Sequence, residues 1–328
     1  MKAFTSGFKL TALACLLGLS SLHAVAADRW NMTVEQPDGN YLTETAKTFA
    51  KSAAEASNGA LEIRVHTNSV LFKRPEVKRA VQTGQVQVGE MLMATLGNED
   101  PIFEVDSVPF LARSFPEAQK LWLASKPAVE ARLAKQGIRL LYAVPWPPQS
   151  VFTQVPINSM ADFKGMKFRA YSPATSRMAE LMGAVPTTIN TGEIPQAFST
   201  GMITGMLTSP ATGVDTQAWD FSKYYYDVKA FIPKNFVIVN ERAFKRLPEA
   251  AQKAVLDAAQ KAEASGWTMA QEKTAALVKT LGDNGMQISE TSPADVEEGF
   301  KKIADTMAQD WLSKTGQDGK AIMDAFRQ

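Results

Sequence analysis

Hydrophobic residues along this chain recur at two spacings, that of a strand and that of a helix, and segments with the two spacings alternate. Alternating apolar and polar positions predict short strands at 29–34, 61–67, 86–92 and 138–144. Apolar residues at helical spacing lie between them and predict helices at 40–57, 74–84 and 115–137. Glycines close these helices. Strands that alternate with helices predict an α/β fold with an open, mostly parallel sheet.

A proline-rich stretch, PWPPQS at 145–150, interrupts the pattern and predicts a crossing between two domains. A second series of strands and helices follows, including a strand at 236–240. An alanine-rich helix predicted at 248–281 would be about 45 to 50 Å long, enough to brace both domains. The predicted domains are 28–148 with part of 236–285, and 149–235 with part of the C-terminal helices 286–328.

The first 27 residues have the pattern of a signal peptide. Lys2 and Lys9 precede an uncharged apolar run at 10–22, and small residues follow at 24–27. The run is too short for a comfortable membrane span. This order of charge, apolar run and small residues predicts export and a periplasmic location.

Composition argues against several classes of function. The 35 basic and 34 acidic residues give a formal net charge of +1 and form no basic run, which argues against a nucleic-acid binder. Cys15, the one cysteine, lies in the predicted signal peptide, and export would leave His66 as the one histidine. With no hydrolase, nucleotide-binding or metal-ligand motif, nothing in the sequence supports an enzyme, a metal site or a cofactor.

The segment GMKFRAYSP, residues 165–173, predicts a strand that leads directly into a helix. Arg169 and Tyr171 lie on one side of the strand, and Ser172 and Pro173 suit the N-cap and first position of the helix. A guanidinium at the carboxyl end of a strand, beside a helix N-terminus, suits a ligand carboxylate. On the residues alone, a structural salt bridge explains Arg169 better.

Residues 158–210 resemble the solute-binding proteins of tripartite ATP-independent periplasmic (TRAP) transporters. The shared blocks are D-x-K-G-x-K-x-R at 162–169, G-A-x-P at 183–186, Glu193 and T-G-x-x-x-G at 200–205. Matching segments at 80–89 and 108–111, and at the entry to the long helix, extend the resemblance over the mature chain.

The resemblance implies a two-domain α/β periplasmic-binding-protein (Venus-flytrap) fold with crossing strands and one long bracing helix. It implies that Arg169 forms a salt bridge with the carboxylate of a small organic acid. It also implies an extracytoplasmic receptor that delivers this acid to a membrane permease and performs no chemistry on it.

Two positions depart from the family pattern. Gln149 stands where many members carry a second basic residue, and Thr208 stands where many carry an asparagine. Aromatic residues lie on segments that could approach the cleft, although each alone fits a core position better: Trp146, Phe152, Tyr171, Trp219 and Phe236. Together these features favour a monocarboxylate with an aromatic or apolar body over a sugar acid or a dicarboxylate.

The candidate ligand-binding residues are therefore Arg169, Gln149, Tyr171, Thr208, Trp146, Met206, Glu90, Met91, Tyr41 and Asn235. For Glu90, a structural role and a ligand contact are equally open. The rival function is a periplasmic sensor subunit, which would use the same fold and the same site.

Overall fold

The computed structural model describes residues 27–328. The predicted signal peptide, apart from its last residue, lies outside them. The described residues form two lobes, each built on one sheet. In spatial order, the first sheet contains β2 (Leu61–His66), β1 (Asp28–Thr33), β3 (Val88–Leu92), β10 (Lys234–Asn240) and β4 (Ile138–Pro145). The second contains β11 (Gln287–Ser289), β9 (Tyr224–Tyr226), β5 (Ser150–Thr153), β8 (Gly205–Thr208), β6 (Lys167–Ala170) and β7 (Val185–Thr188).

Helices cover both sheets and enclose four hydrophobic clusters. In chain order they are α1 (Tyr41–Ala56), α2 (Arg74–Thr83), α3 (Phe115–Ala134), α4 (Pro173–Leu181), α5 (Ile194–Ser199), α6 (Pro210–Asp215), α7 (Glu241–Arg246), α8 (Glu249–Asp283) and α9 (Ala294–Arg327). Among residues 27–328, no helix is both long and apolar enough to span a membrane.

Two chain crossings join the lobes and run side by side. Residues 146–149 lead from β4 to β5, and residues 227–233 return from β9 to β10. The Gln149 N–H donates to Phe231 O at 2.9 Å, and the Ala230 N–H donates to Gln149 O at 2.9 Å. We call these paired segments the hinge ribbon. β10 and β5 run antiparallel to the strands on both sides of them. Both sheets are therefore mixed, and the prediction of a mostly parallel sheet is wrong.

The two long C-terminal helices both reach across the lobes. α8 is 35 residues, about 52 Å, and packs on α1 and β4 in the first lobe and on α6 and β11 in the second. α9 places Phe300 in a second-lobe core and Trp311 in a first-lobe core, with a break at Gly316 (φ 56°). The crossing strands and the long bracing helix confirm the predicted Venus-flytrap fold.

Candidate ligand-binding site

A small cavity lies between the lobes, beside the hinge ribbon. It encloses about 300 Å³ of space between its lining atoms, open solvent included, of which about 20 Å³ is accessible to a molecule the size of water. The lining residues come from strand ends of both lobes and from the hinge ribbon: Arg74, Leu92, Trp146, Gln149, Arg169, Tyr171, Thr191, Thr208, Ser209, Thr212, Pro233 and Asn235. A molecule bound in this cavity would contact both lobes, and the lining side chains would have to move apart to admit it.

Arg169 is a buried cation of this cavity, with only 1% of its surface exposed. Its Nε donates to Ile189 O at 3.0 Å. Among residues 27–328 no carboxylate forms a salt bridge with it, so its terminal nitrogens can serve an anion. Burial, and next the positive charge of Arg74, lower the pKa of Arg169 to about 9, which still leaves it protonated at neutral pH. A bound carboxylate would offset this cost of burial.

Tyr171 and Gln149 support the same wall of the cavity. The Tyr171 hydroxyl donates to Gln149 Oε1 at 2.8 Å, and Gln149 Nε2 donates to Pro147 O at 3.0 Å. One N–H of Gln149 therefore stays available. The predicted strand-to-helix step is confirmed here, because the Ser172 hydroxyl caps α4 by accepting from the Thr175 N–H at 3.2 Å and Pro173 begins the helix.

Arg74 is a second cavity cation that the sequence reasoning missed. It begins α2 beside the exposed Lys73, in a segment whose charged sequence is typical of an exposed surface. In the structure it is buried and paired with Glu35, with Nε 2.7 Å from Oε2. Its Nη2 also donates to Thr191 Oγ1, across the cleft, at 3.0 Å.

Hydrogen bonds at the cleft rim show that the lobes are closed. Besides the bond from Arg74 to Thr191, Nδ2 of Asn40 in the first lobe donates to Oδ2 of Asp215 in the second at 2.6 Å. The cavity between the lobes is therefore in its closed form.

A chain of hydrogen bonds passes through the first-lobe wall. The Trp146 indole N–H donates to Asn235 Oδ1 at 2.7 Å, and Asn235 Nδ2 donates to Glu90 Oε1. The Glu35 N–H donates to Glu90 Oε2 at 3.4 Å. Burial raises the pKa of Glu90 to about 7, while the bond from Asn235 opposes this rise. Behind Trp146, the Tyr41 hydroxyl donates to Pro145 O at 2.5 Å.

The structure brings most of the candidate residues together. Six of the ten line the cavity: Trp146, Gln149, Arg169, Tyr171, Thr208 and Asn235. Tyr41 and Glu90 stand behind its wall, and Met91 and Met206 pack in hydrophobic cores instead. The lining residues that were missed are Arg74, Leu92, Thr191, Ser209, Thr212 and Pro233.

Comparison with known proteins identifies the family of this chain. The sequence model of the DctP family, bacterial extracellular solute-binding protein family 7, matches residues 32–314. The chain is similar to the Bordetella pertussis extracytoplasmic solute receptor DctP7, which binds pyroglutamic acid: 58% identity, TM-score 0.91, covering 92% of this chain and 100% of that one. DctP6 from the same organism also binds pyroglutamic acid, at 42% identity and a TM-score of 0.89, covering 92% and 99%.

A third similar structure is a TRAP solute-binding protein from a marine metagenome, specific for pyroglutamate. It has 36% identity and a TM-score of 0.90, covering 92% of this chain and 99% of that one. The family match spans most of the chain, and the cavity holds Arg169, the arginine that the resemblance implies, which has no salt-bridge partner among residues 27–328. This chain belongs to the DctP family of extracellular solute-binding proteins, the extracytoplasmic solute receptors of TRAP transporters.

Proposed function

We propose that this protein is a periplasmic receptor for pyroglutamate, the cyclic lactam of glutamate, and that it delivers this acid unchanged to the permease of a TRAP transporter. The observation that carries the proposal is Arg169, a buried guanidinium without a carboxylate partner among residues 27–328, in a small interlobe cavity. The ligands named for the three similar structures supply the identity of the acid.

The charges around the cavity favour an acid with one carboxylate. Arg74 is paired with Glu35, which leaves Arg169 as the cavity cation without a salt-bridge partner among residues 27–328. One ligand carboxylate can pair with Arg169 through two parallel hydrogen bonds. A second carboxylate would be buried without a partner, and burial of an unpaired charge is costly. This argument supports the predicted monocarboxylate over a dicarboxylate.

The lining of the cavity favours a small, partly polar ring. Leu92, Trp146 and Pro233 supply apolar surface, while Gln149, Thr208 and Asn235 supply polar groups. Thr208 is buried in the cavity lining, and its hydroxyl can both donate and accept a hydrogen bond. A compact, partly polar ring fits such a lining better than a large aromatic body or a sugar acid. The proposal thus names one small cyclic acid, whereas the sequence led us to expect a broader class of aromatic or apolar monocarboxylates.

A thermal-shift series on the purified mature protein tests the proposal. The ligands are L-pyroglutamate, L-proline, succinate, benzoate and N-acetylneuraminate, each at the same concentrations. We expect pyroglutamate to raise the Tm by several degrees, with a dependence on concentration that fits one site, because it binds the folded state alone. Stabilisation by succinate or N-acetylneuraminate, without stabilisation by pyroglutamate, would refute the proposed ligand.

A further inference from the structure

Asn235 has its side-chain orientation fixed by two neighbours of opposite chemistry. An indole N–H can only donate, so the atom 2.7 Å from Trp146 Nε1 must be the amide oxygen of Asn235. The amide nitrogen then faces Glu90, whose carboxyl oxygen accepts from it. A flipped carboxamide would place donor against donor at Trp146 and acceptor against acceptor at an ionised Glu90.

The sheet register explains why these groups meet. In the antiparallel pair of β10 and β3, Asn235 lies opposite Leu92 and Val237 lies opposite Glu90. Glu90 and Asn235 are therefore diagonal neighbours on one face of the sheet. Only Asn235 of the two lines the cavity, and Glu90 is 2% exposed behind it.

The carboxamide of Asn235 has capacity left for a ligand. Its oxygen has two lone pairs and its nitrogen two hydrogens, and Trp146 and Glu90 use one of each. One acceptor site and one donor site thus remain. A cis-lactam presents the complementary pair, an N–H donor next to a C=O acceptor.

We propose that Asn235 recognises the lactam ring through two hydrogen bonds, one with the ring N–H and one with the ring C=O. Glu90 and Trp146 are positioning residues that hold the Asn235 carboxamide in the orientation that both bonds require. This inference rests on pyroglutamate being the ligand. It assigns Glu90 a role in specificity without contact with the ligand.

The surroundings of Glu90 keep it an acceptor. The charged and titratable groups that face it are Glu35 and Arg74 at the cavity side, Tyr41 from α1 and Tyr142 from β4. Both carboxyl oxygens receive N–H donors, one from Asn235 and one from the Glu35 backbone. An ionised carboxylate accepts at either oxygen, and a protonated carboxyl still accepts through its carbonyl oxygen. The orientation of Asn235 therefore holds in both protonation states.

The test compares two ligands that differ at one ring position. Calorimetric Kd values are measured for L-pyroglutamate and for the lactone 5-oxotetrahydrofuran-2-carboxylate, in which a ring oxygen replaces the N–H. The wild-type protein should prefer the lactam by about 10-fold or more, since the lactone lacks the donor and sets an oxygen against Asn235 Oδ1. Glu90→Met and Trp146→Phe should bring this ratio close to 1, mainly by weakening lactam binding.

Two controls separate positioning from a general structural role. Glu90→Gln retains an acceptor for Asn235 Nδ2 and should keep the ratio within about threefold of wild type. Glu130→Gln, an exposed carboxylate on α3, should leave both affinities unchanged. If Glu90→Met does not fold, Trp146→Phe carries the same prediction.

The outcomes distinguish this inference from the proposed ligand. Equal binding of lactam and lactone by the wild type, or an unchanged ratio in Glu90→Met or Trp146→Phe, would overturn the positioning roles while leaving pyroglutamate as ligand. A wild-type protein that binds no pyroglutamate would overturn the proposed ligand, and this inference with it.

Discussion

The guanidinium carbon of Arg169 lies 5.1 Å from the centroid of the Tyr171 ring, and Tyr171 directly follows the end of β6. The Tyr171 hydroxyl in turn donates to Gln149 in the hinge ribbon. Tyr171 thus supports the arginine from one side and connects it to the segment about which the lobes move. An aromatic face holds a cation without using its hydrogen-bond donors. The two terminal nitrogens of Arg169 therefore stay available to a carboxylate.

Thr191→Val should weaken ligand binding by about 3- to 10-fold, because it removes one neutral acceptor from the closed form. The Thr191 hydroxyl accepts from Arg74 Nη2 at 3.0 Å across the cleft. The Tm of the ligand-free protein should change little, since the lost contact is one neutral acceptor outside the hydrophobic cores. Calorimetry on this variant and on Thr200→Val, at the exposed C-cap position that follows α5, checks the effect. Equal affinity in both variants would show that this contact does not stabilise closure.

Glu90 should make the ligand-free protein less stable as pH rises. Its folded pKa of about 7 lies above the ordinary value of 4.5, so the folded state binds more protons between these values. Stability is therefore lost as pH rises from about 4.5 to about 7, by up to about 3 kcal/mol. Urea denaturation at pH 5 and pH 8 should show this loss in wild type and in Glu130→Gln, and a smaller one in Glu90→Gln. Parallel pH profiles in all three would contradict the assignment.

Lys234→Met should destabilise the fold by about 3 to 5 kcal/mol. Lys234 and Asp106 are 0% and 1% exposed, with Nζ and Oδ2 3.2 Å apart, so the change leaves a buried carboxylate unpaired. Asp106→Asn in the same chain should recover most of the loss, because asparagine is neutral and can still accept from the residue 234 N–H. Lys253→Met, which breaks an exposed pair with Asp257, should cost less than about 1 kcal/mol. Similar losses for both lysines in chemical denaturation would refute this view.

Gly266→Ala should destabilise the protein, although alanine is the better helix former by about 1 kcal/mol. A Cβ at position 266 of α8 would lie 2.5 Å from Val144 Cγ2, where the long helix packs on β4. We expect a net loss of about 1 to 3 kcal/mol in denaturation experiments. Adding Val144→Ala should make the double variant less destabilised than the sum of the two single ones. Additive losses would argue against this steric contact.

The parts of the fold that were predictable depend on local chemistry. The strand at 167–170, the cap at Ser172 and the long helix follow from alternation, capping and helical spacing. β9 and β11 are three residues each and form through pairing with other strands, β9 with β5 and β11 with β9, so no periodicity in the sequence predicts them. The predicted domain bounds stay a prediction.

The sequence predicted cavity-lining residues only where polar side chains stand at the ends of strands. Met206 and Thr208 share a face of β8, but Thr208 lies at the carboxyl end beside the cavity and Met206 lies deeper, in a core. Met91 points to the face opposite Glu90 and packs in a core of the first lobe. The burial of Arg74 depends on Glu35 and on Thr191 in the other lobe, which no local pattern reveals.

Titration of L-pyroglutamate into wild-type and Arg169→Lys protein, by calorimetry at neutral pH, is the sharpest test of carboxylate recognition by Arg169. We expect one site in the wild type and an affinity about 100-fold lower in the variant, because lysine keeps the charge but cannot form two parallel hydrogen bonds. Equal Tm values for the two ligand-free proteins would exclude misfolding as the cause. An affinity of Arg169→Lys within about threefold of wild type would contradict the role of Arg169 as the carboxylate-binding residue.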